Sequence, residues 1–224
     1  MKKKKTVLVI APHPDDEVLG AGGTIVNHQK QGDDVYLCIV TKAYTPDWSK
    51  KFIDNRSKEI IKASKTLRIK KVFYLNFPTV KLDTIPQKKL NKSILKIISQ
   101  VNPEILYLPH KGDLHKDHRL VFEASMTVTR PVGHQVPRIL CYEALSETDW
   151  GQSIEAFVPN VYVDISKTFK TKIKAMQAYS SELKTPPHPR SIEIIEILAK
   201  KRGSEIGAKL AEAFMLIKEF NQSI

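Results

Sequence analysis

The sequence predicts an α/β fold of three layers, with helices on both faces of a mostly parallel sheet. Two observations carry that expectation. First, short apolar runs alternate along the chain with segments whose apolar residues recur at helical spacing. Runs that are apolar throughout, such as Val7-Leu8-Val9-Ile10 and Ile105-Leu106-Tyr107-Leu108, suit strands buried on both faces, as parallel strands are. Second, each of those two runs leads into a short segment dense in histidine and carboxylate. Pro12-His13-Pro14-Asp15-Asp16-Glu17 follows the first, and Asp113-Leu114-His115-Lys116-Asp117-His118 follows the second.

Taken in order, residues 7–11 form the first strand. A helix starts near Asp16, whose carboxylate favours a helix N-terminus, runs through Val18, Leu19, Ile25 and Val26, and stops at Gly32. Residues 35–41 form the second strand, and Ile53, Ile60, Ile61 and Leu67 mark a second helix. Residues 72–75 form a third strand. Leu90, Ile94, Leu95, Ile98 and Val101 repeat at helical spacing until Pro103 ends the pattern. Residues 105–108 are the fourth strand, followed by a helix carrying Leu120, Val121 and Ala124, and residues 138–143 and 160–165 are two later strands. From about residue 166 the chain reads as mostly helical, over 167–181 and again from 191 to about 201. Thr185-Pro186-Pro187-His188-Pro189 between them excludes regular structure, and Gly203 and Gly207 leave the last segment undetermined. Strand–helix–strand alternation implies right-handed crossovers, hence a Rossmann-like three-layer domain. No linker splits it, so residues 1–224 are expected to be a single domain.

The 42% hydrophobic content supports a real core, and no apolar run approaches the roughly 20 residues that cross a bilayer. Lys2 to Lys5 resemble the start of a signal peptide, but the apolar stretch after them ends at the Pro-His-Pro-Asp-Asp cluster, so a cytoplasmic location is expected. Cys38 and Cys141 lie inside apolar runs without thiolate-zinc spacing and read as buried, reduced thiols. The net charge of +12 fits a lysine-rich solvated surface. It also leaves open an anionic substrate, a membrane surface or nucleic acid. Aromatic residues do not interleave with the lysines as single-strand binders require.

In open parallel sheets ligands bind beyond the carboxyl ends of the strands, where strand order reverses. If the first and fourth strands are neighbours there, the two histidine-bearing segments face each other across one crevice, and a metal site is the leading reading. His13 and Asp16 lie three apart on a turn restricted by Pro12 and Pro14, and His118 supplies a third ligand from the opposite loop. Two imidazoles and one carboxylate leave a position open, as in catalytic zinc sites, and water placed there has a pKa of about 7. Zinc is favoured by ligand type, although iron(II) or cobalt fits the same three atoms. Asp15 should project away from the ion and suits the role of general base. His115 can sit on the far side of a substrate carbonyl. As an imidazolium it would stabilise an oxyanion or protonate a leaving amine, with Asp117 or Asp113 orienting it. Each segment alone also reads as a charged helix cap.

At these residues the chain resembles the LmbE-like (PIG-L) family of zinc-dependent N-acetyl deacetylases. The family's opening signature stands here as Ala11-Pro12-His13-Pro14-Asp15-Asp16-Glu17-Val18-Leu19-Gly20-Ala21-Gly22-Gly23, and its Asp-x-His-x-Asp-His signature as residues 113–118. Weaker elements are Arg56 with Glu59, then Tyr179-Ser180 and residues 203–214. The resemblance implies His13, Asp16 and His118 as zinc ligands, Asp15 as base, and His115 with Asp117 as the acid or oxyanion pair. It also implies a substrate with an N-acetyl group on a sugar, most often an N-acetylglucosamine conjugate.

Arg56 resembles a substrate-binding position of the family, and it equally suits an ion pair with Glu59 on a solvated helix face. Where many members carry a Gly-containing loop, this chain has Thr41-Lys42-Ala43-Tyr44-Thr45-Pro46-Asp47-Trp48. Tyr44 and Trp48 there could stack on a sugar or pack on the domain itself. Gly20, Gly22 and Gly23 are expected to let a helix approach a strand. His28 is expected to be solvated, His110 to lie outside the ligand set, and His134 and His188 to sit in loops. His188 or Arg190 reaches the crevice only if the C-terminal part folds over it. Removal of an acetyl group from an N-acetyl sugar leads the functional readings. Hydrolysis of another amide or ester follows, and a basic nucleic-acid binder with a vestigial site comes last.

Overall fold

A computed structural model describes residues 3–132 and 135–220 of the chain. His134 lies outside the described residues, as does Lys2. The elements are β1 (Thr6–Ala11), α1 (Asp16–Lys30), β2 (Asp34–Lys42), α2 (Lys50–Thr66), β3 (Lys71–Pro78), α3 (Gln87–Val101), β4 (Ile105–Pro109), α4 (Lys116–Val128), β5 (Arg138–Tyr142), β6 (Val161–Asp164), α5 (Phe169–Met176), α6 (Ile192–Ser204) and β7 (Ala211–Glu219).

All seven strands join one sheet in the order β3-β2-β1-β4-β5-β7-β6. β1 pairs in parallel with both β2 and β4, with Val7 opposite Val35 on one side and opposite Ile105 on the other. Strand order therefore reverses between β1 and β4, as the sequence predicts, and the loops after those two strands flank the reversal.

Alternation along each strand divides the core between the two faces of the sheet. On one face Val7, Val9, Leu37, Ile39, Tyr107 and Tyr142 pack against α1, α2, α5 and α6. On the other, Leu8, Ile10, Leu106, Leu108 and Ile139 pack against Leu90, Ile94 and Ile98 of α3 and Val121 and Ala124 of α4. Cys38 and Cys141 are free, buried thiols in this second layer. Two α1 glycines bring helix and sheet together as expected. A Cβ at Gly20 would lie 2.2 Å from Tyr142 Cδ2, and one at Gly23 would lie 2.6 Å from Ile165 Cγ2.

The C-terminal part departs from the mostly helical expectation. Residues Ala211–Glu219 form β7, inserted antiparallel between β5 and β6 with Phe214 opposite both Tyr142 and Val161. Ala211, Glu212 and Ala213 carry no strand preference of their own. The ladders on both sides of the segment decide its conformation. No helix among the described residues is long and apolar enough to cross a membrane.

Candidate active site

The turn between β1 and α1 brings Asp16 back onto His13. His13 N donates to Asp16 Oδ2 at 2.8 Å, which closes the turn. From the start of α4, His118 reaches the same point. His13 Nδ1 and His118 Nε2 are 3.2 Å apart, His118 Nε2 and Asp16 Oδ2 3.2 Å, and His13 Nδ1 and Asp16 Oδ2 3.5 Å. A tetrahedral ion with ligand bonds of roughly 2.0–2.1 Å separates neighbouring ligand atoms by about 3.3 Å, so the trio fits zinc.

The outer nitrogen of each imidazole is also occupied. His118 Nδ1 donates to Asp113 Oδ2 at 2.8 Å, and His13 Nε2 donates to Asp117 Oδ2 at 3.1 Å. These bonds favour the tautomers that leave His13 Nδ1 and His118 Nε2 with lone pairs directed at the point the trio shares, where an ion would sit. Asp117 is itself held by Val80 N and Leu82 N at 2.8 and 3.2 Å, and Asp113 by Thr148 Oγ1 at 2.6 Å. Burial alone would raise the Asp16 carboxyl, but the charges and hydrogen bonds of His118 and His13 carry it well below the usual carboxylate range.

Contrary to the expectation from the sequence, neither carboxylate side chain orients His115: Asp113 pairs with His118 and Asp117 with His13. His115 Nδ1 instead accepts from Asp117 N at 3.1 Å, which leaves the proton of a neutral ring on Nε2. Burial, then the neighbouring rings of His13 and His118, pushes its pKa down to about 4, which favours a neutral ring over the imidazolium expected from the sequence. A second possible metal grouping, His13 with His115 and Asp117, shares the His13 ring with the first. Its Asp117 is already committed to two backbone donors and to His13.

Asp15 turns away from the trio. Its oxygen Oδ2 is buried without a hydrogen bond among the described residues, and Arg190 Nη1 lies 3.6 Å from it. Burial, then the charge of Asp16, raises its carboxyl to about 7, against the opposing pull of Arg190 and Arg56. Asp15, His13, Asp16 and His115 all open onto one cavity of about 530 Å³. A carboxylate oxygen that accepts no hydrogen bond among the described residues, beside a trio that could hold a metal, is an arrangement that can take a proton from water.

Arg56 also lines this cavity, and it pairs with Glu182 and sits 3.7 Å from Glu59 Oε2. The pair with Glu59 exists, but on a buried face: Glu59 accepts in addition from Ser180 Oγ, Ser181 N and Ser181 Oγ. Trp48 lines the cavity, while Tyr44 stacks edge-on behind it at 5.4 Å and lies under Lys81 Nζ at 4.4 Å. His110 lies outside the ligand set, buried, with Nε2 3.2 Å from Glu155 O. His28 is not solvated: it bonds Asp33 Oδ2 at 2.7 Å and the Tyr107 hydroxyl at 2.9 Å.

Sequence reasoning did not assign Glu182 a role, and it placed His188 or Arg190 at the crevice only on condition that the C-terminal part folds over it; Arg190 lines the cavity and His188 does not. The segment between α5 and α6 does fold over the crevice, where Glu182 Oε2 accepts from Arg190 Nη1 at 2.7 Å. Charged residues embedded in a proline-rich stretch were the one signal of this in the sequence.

Residues 8–129 match the family described as PIG-L: GlcNAc-PI de-N-acetylase. The chain is 31% identical over 196 residues to the probable N-acetyl-alpha-D-glucosaminyl L-malate deacetylase 2 of Bacillus cereus, covering 80% of this chain and 84% of that one. It is 29% identical over 188 residues to the uncharacterized deacetylase YaiS of Escherichia coli, covering 80% and 92%. The N,N'-diacetylchitobiose deacetylase of Pyrococcus horikoshii has a similar fold, with a TM-score of 0.76 at 24% identity over 100% of this chain and 90% of that one. With both signatures placed at one cavity and more than half the chain matched, this protein belongs to the PIG-L family of de-N-acetylases.

Proposed function

We propose that this protein is a zinc-dependent deacetylase that hydrolyses the N-acetyl group of an N-acetylglucosamine-type conjugate. The observation that carries the reading is the meeting, at one cavity, of the trio and an Asp15 oxygen that accepts no hydrogen bond among the described residues. The relatives named above are deacetylases, and two of them carry names specifying N-acetylglucosamine-type sugars. His13, Asp16 and His118 would hold the ion. Zinc when bound acidifies water and polarises the acyl carbonyl.

Asp15 takes the proton of the attacking water as the new C–O bond forms at the acetyl carbon. It then gives that proton to the sugar nitrogen as the C–N bond breaks, so acetate and a free amine leave. His115 Nε2–H, on the other side of the crevice, donates to the carbonyl oxygen as negative charge gathers there. Arg56, Trp48 and, behind it, Tyr44 form the wall that receives the rest of the sugar. In this reading residues 1–224 work as one domain, because the segment between α5 and α6 supplies Arg190 to a site built on β1 and β4.

The test is acetate release from a panel of N-acetyl sugars, other N-acyl amines and esters, alongside elemental analysis of anaerobically purified protein. N-acetylglucosaminides turning over with one zinc per chain is the expected result. Iron or cobalt in its place corrects the metal, and activity confined to other amides or esters overturns the substrate class. Asp15→Asn is expected to keep the metal and lose about 100-fold or more in turnover, the range of a lost general base. A rate within a few-fold of wild type removes Asp15 from the mechanism.

A further inference from the structure

Asp15 stands in the left-handed region, at φ 109° and ψ −26°, where a residue with a side chain is rarely found. Its direction is therefore imposed by something outside its own preference. The backbone N–H of Asp15 donates to Glu17 Oε2 at 3.1 Å, and the other oxygen of Glu17 accepts from the Tyr179 hydroxyl at 2.7 Å. Glu17 and Tyr179 are both fully buried, and neither lines the cavity. Tyr179 comes from the segment just after α5, far along the chain from the turn it reaches.

We propose that Tyr179 is a positioning residue: through Glu17 it fixes the backbone of Asp15 and so aims the carboxylate of the base. The inference rests on Asp15 acting as proposed above. Each oxygen of Glu17 has one of these two donors. Without the hydroxyl of Tyr179, one oxygen of a buried carboxylate loses its donor, and the carboxylate is free to turn away from Asp15 N. A purely packing role would need only the ring, which Phe supplies equally well.

The experiment is a double-mutant cycle on zinc-loaded protein, with Tyr179→Phe made in the wild-type and in the Asp15→Asn backgrounds. The readouts are kcat, KM and bound metal. In the wild-type background kcat is expected to fall about 10–100-fold, the range seen when a residue supporting a site is lost, with KM and metal content unchanged. In the Asp15→Asn background the residual rate should not fall further, because a group that acts through Asp15 has nothing left to position. An unchanged kcat in Tyr179→Phe overturns the inference, as does an equal fall in both backgrounds or a loss of metal. Should Tyr179→Phe not fold, Glu17→Gln reads the same cycle, since its amide accepts through one oxygen in place of two. A full rate in Asp15→Asn alone defeats the base assignment itself. An inactive Asp15→Asn beside a fully active Tyr179→Phe defeats only the positioning role.

Discussion

Lys172 Nζ lies 2.7 Å from Glu212 Oε1, and the pair is sealed between α5, β7 and α1 with side chains only 5% and 4% exposed. Both partners are also tied to the main chain of α1. Lys172 donates to Leu19 O at 2.7 Å, and Glu212 accepts from Gly23 N at 2.8 Å and Thr24 N at 2.7 Å. The pair thus joins the strand that the sequence left undetermined to the helix that opens with Asp16, a member of the candidate metal trio.

Removing one member strands the other charge in the interior, which costs about 3–5 kcal/mol. Lys172→Met is therefore expected to lower the unfolding free energy by about that much, read from urea unfolding. A loss below about 1 kcal/mol would mean that Glu212 is satisfied by the two α1 N–H groups alone.

The metal position makes its own prediction. His118→Ala removes one of the three proposed ligands and should yield protein without stoichiometric metal. Asp113→Asn keeps every ligand but weakens the acceptor that sets the His118 tautomer, so metal affinity should fall about 10–100-fold. Competition with a chelator measures both, and the wild-type enzyme stripped by the same chelator should regain acetate release when zinc is restored. If Asp113→Asn binds metal as tightly as wild type, the bond from His118 Nδ1 to Asp113 is dispensable.

These residues differ in how visible they were beforehand. His13, Asp15, Asp16 and His118 were legible because buried parallel strands print as unbroken apolar runs, with the first three residues in the turn after β1 and His118 in the first turn of the helix after β4. The neighbouring of β1 and β4 was a condition drawn from how open parallel sheets are ordered, and the sheet meets it. Asp113 and Asp117 were visible as acids but not as to which imidazole each serves, because that depends on the path of the loop before α4 and on the 80–82 backbone that receives Asp117. Arg190, Glu182 and Tyr179 come from irregular chain after α5, whose place is fixed by contacts rather than by periodicity. β7 was hidden for a related reason, its alanines and glutamates being pulled into the sheet by β5 and β6.

The buried thiols give a pH prediction. Burial pushes Cys38 up to about 12 from its ordinary 9.0, so the folded chain keeps the proton where the unfolded chain has lost it. A group raised in the folded state contributes stability in full below the unfolded pKa and loses it as pH rises toward the folded one. Between about pH 9 and pH 12 the unfolding free energy should fall with a contribution from Cys38 of up to ~1.4 kcal/mol per pH unit. Cys38→Ala should show a shallower alkaline decline than wild type, measured by urea unfolding across that window. A thiol reagent at pH 8 should leave the native chain unmodified at Cys38 and label it after unfolding.

The last prediction concerns what the cavity accepts beyond the acetylated sugar. Phe52, Ile53, Ile60 and Ile61 of α2, with Tyr74 from β3, give the cavity an apolar wall, and Asp15, His115, Glu182 and Arg190 also line it. Ile61 and Tyr74 stay 64% and 47% exposed, which leaves apolar surface in water unless a ligand covers it. Burying one methylene is worth about 0.8 kcal/mol, or about fourfold in affinity. Along a series of N-acetylglucosaminides with lengthening alkyl aglycones, kcat/KM should therefore climb by up to about fourfold per methylene until the wall is filled. Ile61→Lys should flatten the series, because its ammonium would have to be desolvated beneath the alkyl chain. A kcat/KM independent of alkyl length, with a charged or second-sugar aglycone preferred, would assign that wall to packing of α2 and leave recognition to Arg56 and Trp48.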